Sequence, residues 1–167
     1  MTRLEIIWLG TTIVVLGAIA TVAARPAPLL VWNVTPSAPI GLYAVFQGSK
    51  PARWQMVIAR MPPRWRQLAA KRNYIPANVP LVKRVAAVAG DRICAVNKTV
   101  TINGGFAARR LPRDRRGRPL PAWHGCLTLR RQELFLLNDD KDSFDGRYFG
   151  VTSAREIIGK ATLLWRR

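Results

Sequence analysis

Apolar residues are distributed very differently at the start of this chain and in the rest of it. Residues 6–24 read IIWLGTTIVVLGAIATVAA, nineteen residues without a charged side chain. Such a stretch is close to the length that an α-helix needs to span a bilayer. We therefore predict that residues 1–25 form an N-terminal membrane anchor, a single transmembrane helix; a cleavable signal peptide is the alternative. Either alternative carries residues 26–167 across the membrane.

The remainder of the chain contains only short apolar runs, separated by turn signals such as 89–91 and the hairpin dipeptide Asn103-Gly104. Runs of this length, bounded by turn residues, are typical of strands. A basic amphipathic stretch at 64–73 predicts a short helix. We predict a mostly β domain, with strands at 29–33, 41–46, 57–59, 81–88, 92–96, 99–102, 134–137 and 157–164.

Positive charge dominates the composition. The chain has 27 Lys and Arg residues against nine Asp and Glu, a formal net charge of +18. Such a balance favours nucleic acid, an anionic membrane or an acidic partner. Six arginines lie in the polar segment 107–121, which we expect to be a solvated loop within a basic insertion near 103–126. Because the domain is exported, anionic lipid headgroups near the anchor are expected to meet this charge, and no nucleic acid is expected.

The chain has two cysteines, Cys94 and Cys126, and one histidine, His124. In an exported domain an even pair of cysteines suggests a disulfide; two unpaired buried thiols are the alternative. A bridge over a loop of roughly thirty residues is worth about 3–4 kcal/mol in the chain-entropy model. The cysteine and histidine spacing fits no zinc site, so we predict no metal and no cofactor.

Lys83 lies in an otherwise apolar run, VPLVKRVAAVAGD. If the run is a strand, Leu81, Lys83 and Val85 share one face. An amine between apolar side chains is poorly hydrated, which lowers its pKa and makes a neutral general base available. The alternative is a surface lysine whose stem lies on apolar residues while its ammonium group reaches water.

Two further polar segments contain candidate functional residues. Ser37 stands in TPSAP, where neighbouring prolines restrain the backbone, as a nucleophile requires. An ordinary surface turn has the same composition. The segment 139–145 contains four of the nine acidic residues of the chain. A solvated turn or a calcium-binding loop is the alternative there, although the regular ligand spacing of an EF-hand is missing.

Three segments occur in a fixed order behind the apolar N-terminus: TPSAPIGLY, LVKRVAAVAGD and NDDKDSFDGRYFG. They resemble the serine, lysine and C-terminal acidic boxes of the signal peptidase I family, and most closely its TraF branch, the peptidases that mature the pilin of conjugative transfer systems. The resemblance covers most of residues 29–164. It implies an antiparallel β catalytic domain in the periplasm, held by a single-pass anchor in the bacterial inner membrane.

The resemblance also assigns roles to individual residues. Ser37 would be the nucleophile and Lys83 its general base, with the Lys83 amine in hydrogen-bond reach of both Ser37 and Ser143. Thr35 would help to form the oxyanion hole, together with the backbone N–H of Ser37. Asp145 would be the catalytic aspartate of the acidic box.

Within the acidic box, Arg147 would hold Asp145, and Asp142 is the weaker candidate for the acid. Departures from the family pattern are Ala38 in place of a methionine, Asn138-Asp139 in place of glycine-aspartate, and one membrane segment instead of two. The change at Ala38 puts inherited side-chain specificity in doubt.

The function implied is a serine endopeptidase with a Ser–Lys dyad that cleaves an exported propilin, with cyclisation of the product. A general type I signal peptidase is the alternative, because the same residues serve both activities. A third hypothesis is a non-enzymatic, membrane-anchored basic protein of an export apparatus, suggested by the charge and the arginine-rich segment.

Overall fold

The computed structural model describes residues 2–24 and 27–167. The first element is helix α1, Arg3–Ala24. It is long and apolar enough to cross a membrane, with the strongest window at Arg3–Ala20, a property that a membrane anchor and a signal sequence share. The boundary that we expect between residues 25 and 26 lies outside the described residues.

Two antiparallel sheets form the rest of the fold. The larger has the strand order β1-β2-β11-β3-β4-β9-β10 and the smaller the order β7-β6-β5-β8. The strands are β1 Leu30–Asn33, β2 Gly41–Phe46, β3 Met56–Ala59, β4 Leu81–Ala87, β5 Arg92–Val96, β6 Thr99–Ile102, β7 Gly105–Arg109, β8 Gly125–Thr128, β9 Glu133–Leu137, β10 Thr152–Ser153 and β11 Ile157–Arg166. The helices are α2 Pro63–Lys71 and α3 Gly146–Phe149, with a 3₁₀ turn at Ala154–Glu156. The prediction of a mostly antiparallel β domain is confirmed.

Strands β7, β8 and β10 are absent from our sequence-based prediction. All four residues of β8 are exposed, so the strand lacks the apolar run by which strands are recognised. It forms because β5 offers a free edge, and Cys126 pairs with Cys94 in register. The segment expected to be a solvated loop therefore begins within β7, and β8 lies just beyond it.

Cys94 and Cys126 are joined by a disulfide between β5 and β8. This confirms the expected bridge and excludes the two free thiols. The predicted hairpin at Asn103-Gly104 is also confirmed, since it connects β6 to β7 and both residues have positive φ, 51° and 82°.

Strand β4 lies inside the larger sheet between β3 and β9. Six of its seven residues are buried, because apolar clusters cover both of its faces. Burial on both faces explains why its sequence is a continuous apolar run rather than an alternating one. Two charged residues interrupt the run: Arg84 is partly exposed, whereas Lys83 is buried.

Candidate active site

The Lys83 side chain is only 3% exposed, which excludes a surface lysine. Its Nζ donates a hydrogen bond to Ser143 Oγ at 2.6 Å. Burial lowers the pKa of the amine from 10.5 to about 8; the Asp145 carboxylate raises it and the Arg147 guanidinium lowers it further. A substantial neutral fraction is therefore present at mildly alkaline pH, at which an ordinary lysine is almost fully charged.

Asn138 fixes the acidic loop against the strand that carries Lys83. Its Nδ2 donates to the carbonyl of Val82 at 3.0 Å, and its Oδ1 accepts from the backbone N–H of Arg84 at 3.1 Å. The backbones of Val82 and Arg84, on either side of Lys83, are thus hydrogen-bonded to Asn138, the first residue of the acidic loop. Sequence reasoning noted Asn138 only as a departure from the family pattern; an Asn directly after a buried strand was the available signal.

Asp145 is fully buried and holds the other end of the same loop. Its carboxylate accepts from the backbone N–H groups of Asn138 and Arg147, at 3.0 and 3.1 Å, and from the Arg147 guanidinium at 2.8 and 3.1 Å. Arg147 also donates to the carbonyls of Asn138 and Lys141. The expected partnership of Asp145 with Arg147 is confirmed, and these contacts hold the loop that presents Ser143.

Asp142, the weaker candidate for the acid, is directed at Arg115 rather than at Lys83. Its carboxylate forms an ion pair with Arg115 and is 24% exposed. The carboxylates that act on the charge of Lys83 belong to Asp145 and Asp140. The structure therefore brings Asp145, and not Asp142, into the electrostatic environment of the lysine.

Ser37 is partly buried in the turn between β1 and β2. Thr35 Oγ1 lies 3.4 Å from Ser37 Oγ. The turn is held by the buried side chain of Asn33, the last residue of β1, whose amide donates to the carbonyls of Thr35, Ala38 and Pro39. Sequence reasoning missed Asn33, because an asparagine two residues before a threonine is too common to be informative.

Ser37 and Lys83 line one cleft of about 580 Å³, together with Thr35 and Ser143. Across residues 2–24 and 27–167, no hydrogen bond joins Lys83 Nζ to Ser37 Oγ. The expected contact with Ser143 is therefore confirmed, whereas the direct contact with Ser37 is not formed in this structure.

The arginine-rich segment forms a wall of this cleft. Asp114 accepts from the Tyr74 hydroxyl at 2.6 Å and from Arg118 Nε at 2.7 Å. Arg115 joins the segment to the acidic loop through Asp142. Beyond β7 the segment is an exposed loop, as expected, with Arg110 as its buried exception, and these hydrogen bonds order it against its neighbours. Within the described residues, no group of three or more His, Cys, Asp or Glu could hold a metal ion.

Comparison with known proteins identifies the family of the chain. The family model described as signal peptidase, peptidase S26, matches residues 3–166. The chain belongs to the peptidase S26 family of signal peptidases. By this membership it is a serine peptidase, and its family match spans the serine turn, strand β4 and the acidic loop.

Individual relatives of this peptidase S26 chain carry more specific names. It is 32% identical over 164 residues to a probable conjugal transfer protein TraF of Sinorhizobium fredii strain NGR234, covering 92% of this chain and 86% of that protein. It is 33% identical over 138 residues to a plasmid transfer protein TraF of Escherichia coli, covering 75% and 77% respectively. The crystal structure of a signal peptidase I from Enterococcus faecalis V583 superposes with a TM-score of 0.41 and 20% identity, covering 68% of this chain and 98% of that one.

Proposed function

We propose that this chain is a membrane-anchored serine endopeptidase that uses a Ser37–Lys83 dyad to process an exported propilin for conjugation. The observation that carries the chemistry is the buried Lys83 amine, bound to Ser143 and facing the cleft that Ser37 also lines. Support for a role in conjugation comes from the names of the relatives, conjugal and plasmid transfer proteins. The proposal places the chain in the inner membrane by α1, with the catalytic domain in the periplasm.

In the proposed mechanism, neutral Lys83 accepts the proton of the Ser37 hydroxyl while Ser37 Oγ bonds to the carbonyl carbon of the scissile peptide. Collapse of the tetrahedral intermediate breaks the C–N bond, and the Lys83 ammonium gives its proton to the departing amine. Ser37 Oγ must approach Lys83 Nζ for this transfer. Rotation of the serine side chain on substrate binding can supply that approach, since catalytic hydrogen bonds commonly tighten only in the complex.

Ser143 and Asp145 would support the lysine rather than react. Ser143 accepts a hydrogen bond from Lys83 Nζ and so fixes the direction of the amine. Asp145 lies fully buried beneath the loop and keeps the pKa of Lys83 from falling further. Thr35 and the backbone N–H of Ser37 would donate to the oxyanion of the tetrahedral intermediate.

The acyl-enzyme has two possible fates. Water would release a linear product, whereas the amine at the N-terminus of the same pilin would release a cyclic one. The amine competes with bulk water only if it is held close to the ester. We propose cyclisation, which the TraF branch implies.

Mass spectrometry of a propilin from the same conjugation system, co-expressed with the full chain, tests both the cleavage and the cyclisation. We expect a truncated product with wild-type enzyme and none with Ser37→Ala or Lys83→Arg, since arginine stays charged. A cyclic product has a mass lower by one water than the linear one. Unprocessed pilin with the wild-type enzyme, or processing by Ser37→Ala, would contradict the dyad; a linear product alone would contradict cyclisation.

The family description itself favours a second candidate function, a general signal peptidase that trims exported proteins. Its chemistry would use the same residues. Complementation of a strain depleted of its housekeeping signal peptidase distinguishes the two. Growth on wild-type but not Ser37→Ala enzyme would establish the general activity.

A further inference from the structure

The Asn33 side chain is only 5% exposed and makes five polar contacts within the serine turn, three of which share the two protons of its amide group. Its Nδ2 lies 2.9 Å from the carbonyl of Thr35, 3.1 Å from that of Ala38 and 3.1 Å from that of Pro39. These carbonyls stand on both sides of Ser37 in the sequence. One carboxamide therefore ties together the backbone that precedes and follows the nucleophile.

The three carbonyls also determine which way the Asn33 carboxamide faces. Carbonyl oxygens only accept, so the –NH₂ end must face them and the oxygen must face Thr35. Asn33 Oδ1 then accepts from two groups of Thr35, the hydroxyl at 2.8 Å and the backbone N–H at 3.2 Å. The lone proton of the Thr35 hydroxyl is directed at Asn33.

This direction conflicts with the part proposed for Thr35 in catalysis. A threonine hydroxyl has one proton, so it cannot donate to Asn33 and to an oxyanion at the same time. In the resting arrangement Thr35 Oγ1 faces Ser37 Oγ, 3.4 Å away, only as an acceptor. Donation to the oxyanion requires rotation of the Thr35 hydroxyl about its Cβ–Oγ bond, which breaks its hydrogen bond to Asn33.

Rotation of the Thr35 hydroxyl proton away from Asn33 costs little free energy in this structure. When the hydroxyl proton leaves, Asn33 Oδ1 still accepts from the Thr35 backbone N–H, so no buried acceptor is left without a partner. The oxygen of Thr35 itself need not move. Within the described chain the backbone N–H of Ser37 donates to no protein group, so it is free to serve as the second donor.

We propose that Asn33 is a positioning residue that fixes the turn around Ser37 and holds the Thr35 hydroxyl beside it, with a proton that turns from Asn33 to the oxyanion as the intermediate forms. The inference rests on the proposed Ser37 chemistry. It assigns Asn33 an effect that passes through Thr35, in addition to its support of the turn. No bond is made or broken in the step, because the proton stays on Thr35.

The test is a double-mutant cycle in the full chain, assayed with a quenched fluorescent peptide that spans the propilin cleavage site. Thr35→Val removes the proton at nearly constant shape, Thr35→Ser keeps it, and Asn33→Ala removes the carboxamide. Tyr43→Phe is the matched control, since the Tyr43 hydroxyl donates to the carbonyl of Pro39 in the same turn without touching Thr35. Thermal unfolding of each variant in detergent reports stability separately.

We expect Thr35→Val to lower kcat by about 10²–10³, as loss of one oxyanion donor does, with Thr35→Ser within about tenfold of wild type. Asn33→Ala should lower kcat at least about tenfold in the wild-type background and by a clearly smaller factor beside Thr35→Val, where only the loss of turn support remains. Tyr43→Phe should lower the unfolding temperature with little change in kcat. The pH midpoint of kcat/KM should stay at the wild-type value in all of them.

The inference would be overturned if the effects of Asn33→Ala and Thr35→Val on kcat multiplied fully in the double mutant. It would also be overturned if Asn33→Ala lost stability without losing kcat, as expected for Tyr43→Phe. An unchanged kcat in Thr35→Val would also overturn it. Failure of the proposed function looks different, since Ser37→Ala in the same assay would then keep the activity of the wild type.

Discussion

Burial lowers the pKa of Lys83 to about 8, the carboxylates of Asp145 and Asp140 raise it, and Arg147 lowers it. A general base works only when neutral, so kcat/KM should rise as the pH increases through about 8 and level off above it. A pH–rate profile with the quenched peptide measures this directly. A profile whose rising limb lies near the ordinary lysine value, about 10.4, would contradict the role of Lys83.

The ion pair of Asp145 and Arg147 offers a matched pair of substitutions. Asp145→Asn removes a carboxylate that raises the pKa of Lys83, so the midpoint should move to lower pH; Arg147→Gln should move it to higher pH. Both should destabilise the protein by roughly 3–5 kcal/mol, because each leaves a buried charge unpaired. If both variants are destabilised but their pH midpoints of kcat/KM move in opposite directions, a general loss of structure cannot be the cause.

Asp140→Asn provides the control for that pair. Asp140 raises the pKa of Lys83 less than Asp145 does and has no salt bridge within the described residues, so its removal should shift the midpoint slightly downward at little cost in stability. Midpoints that move the same way in Asp145→Asn and Arg147→Gln would rule out the electrostatic explanation. Denaturant curves confirm that each variant is folded under assay conditions.

Some site residues could be predicted from the sequence and others could not. Ser37, Lys83 and Ser143 lie in segments whose order identifies them, and Lys83 also stands out as a charge in an apolar run. Asn33 and Asn138 escaped prediction because their importance comes from carbonyls brought near them by folding. The position of Asn138 directly after a buried strand was a signal for one of them, but the partners of both are revealed only by the folded turn and sheet.

At the scale of elements, apolar runs located the strands that are buried. Strands β2, β5 and β6 have the predicted bounds, and β4 differs by one residue. Three of the four edge strands, β7, β8 and β10, were not predicted, whereas the edge strand β1 was. Strand β8 is stabilised by pairing with β5 and by a covalent bond rather than by burial. Edge strands of this kind depend on tertiary contacts that the sequence pattern does not display.

The disulfide should therefore matter for stability more than for catalysis. Joining cysteines 32 residues apart is worth about 3–4 kcal/mol in the chain-entropy model. Cys94→Ala with Cys126→Ala should lower the free energy of unfolding by about this amount, measured by denaturant titration, and leave the pH midpoint of kcat/KM unchanged. A loss of kcat at full folding would show instead that the smaller sheet shapes the cleft.

At the scale of the whole molecule, the large sheet carries an exposed row of apolar side chains on one face. Trp32, Leu42 and Trp165 lie in one row across β1, β2 and β11, and the two indole rings contact each other with centroids 5.4 Å apart. Trp32 is 43% exposed and Trp165 58%. Exposed tryptophans are typical of membrane–water interfaces, where an apolar ring and a polar N–H both find partners.

If α1 spans the membrane, the short connection to β1 keeps this row close to the bilayer. Strand β1 begins at Leu30 and α1 ends at Ala24, a separation of six residues that spans at most about 20 Å when extended. Trp32 also lines the cleft that contains Ser37. With α1 in the membrane, the tryptophan row can lie on the membrane surface. The cleft that contains Ser37 then opens beside that surface, where a substrate leaves the bilayer.

Quenching of tryptophan fluorescence by brominated lipids in vesicles containing the full chain tests this orientation. In a Trp8→Phe background, which removes the tryptophan of α1, we expect substantial quenching that is lost with Trp32→Phe and Trp165→Phe together. Trp123→Phe is the control, because Trp123 is partly buried against Phe135 and lies outside the exposed tryptophan row. The net charge of +18 predicts that anionic vesicles give more quenching than neutral ones, and that salt reduces the difference. Quenching that survives removal of both tryptophans would place a different face of the domain on the membrane.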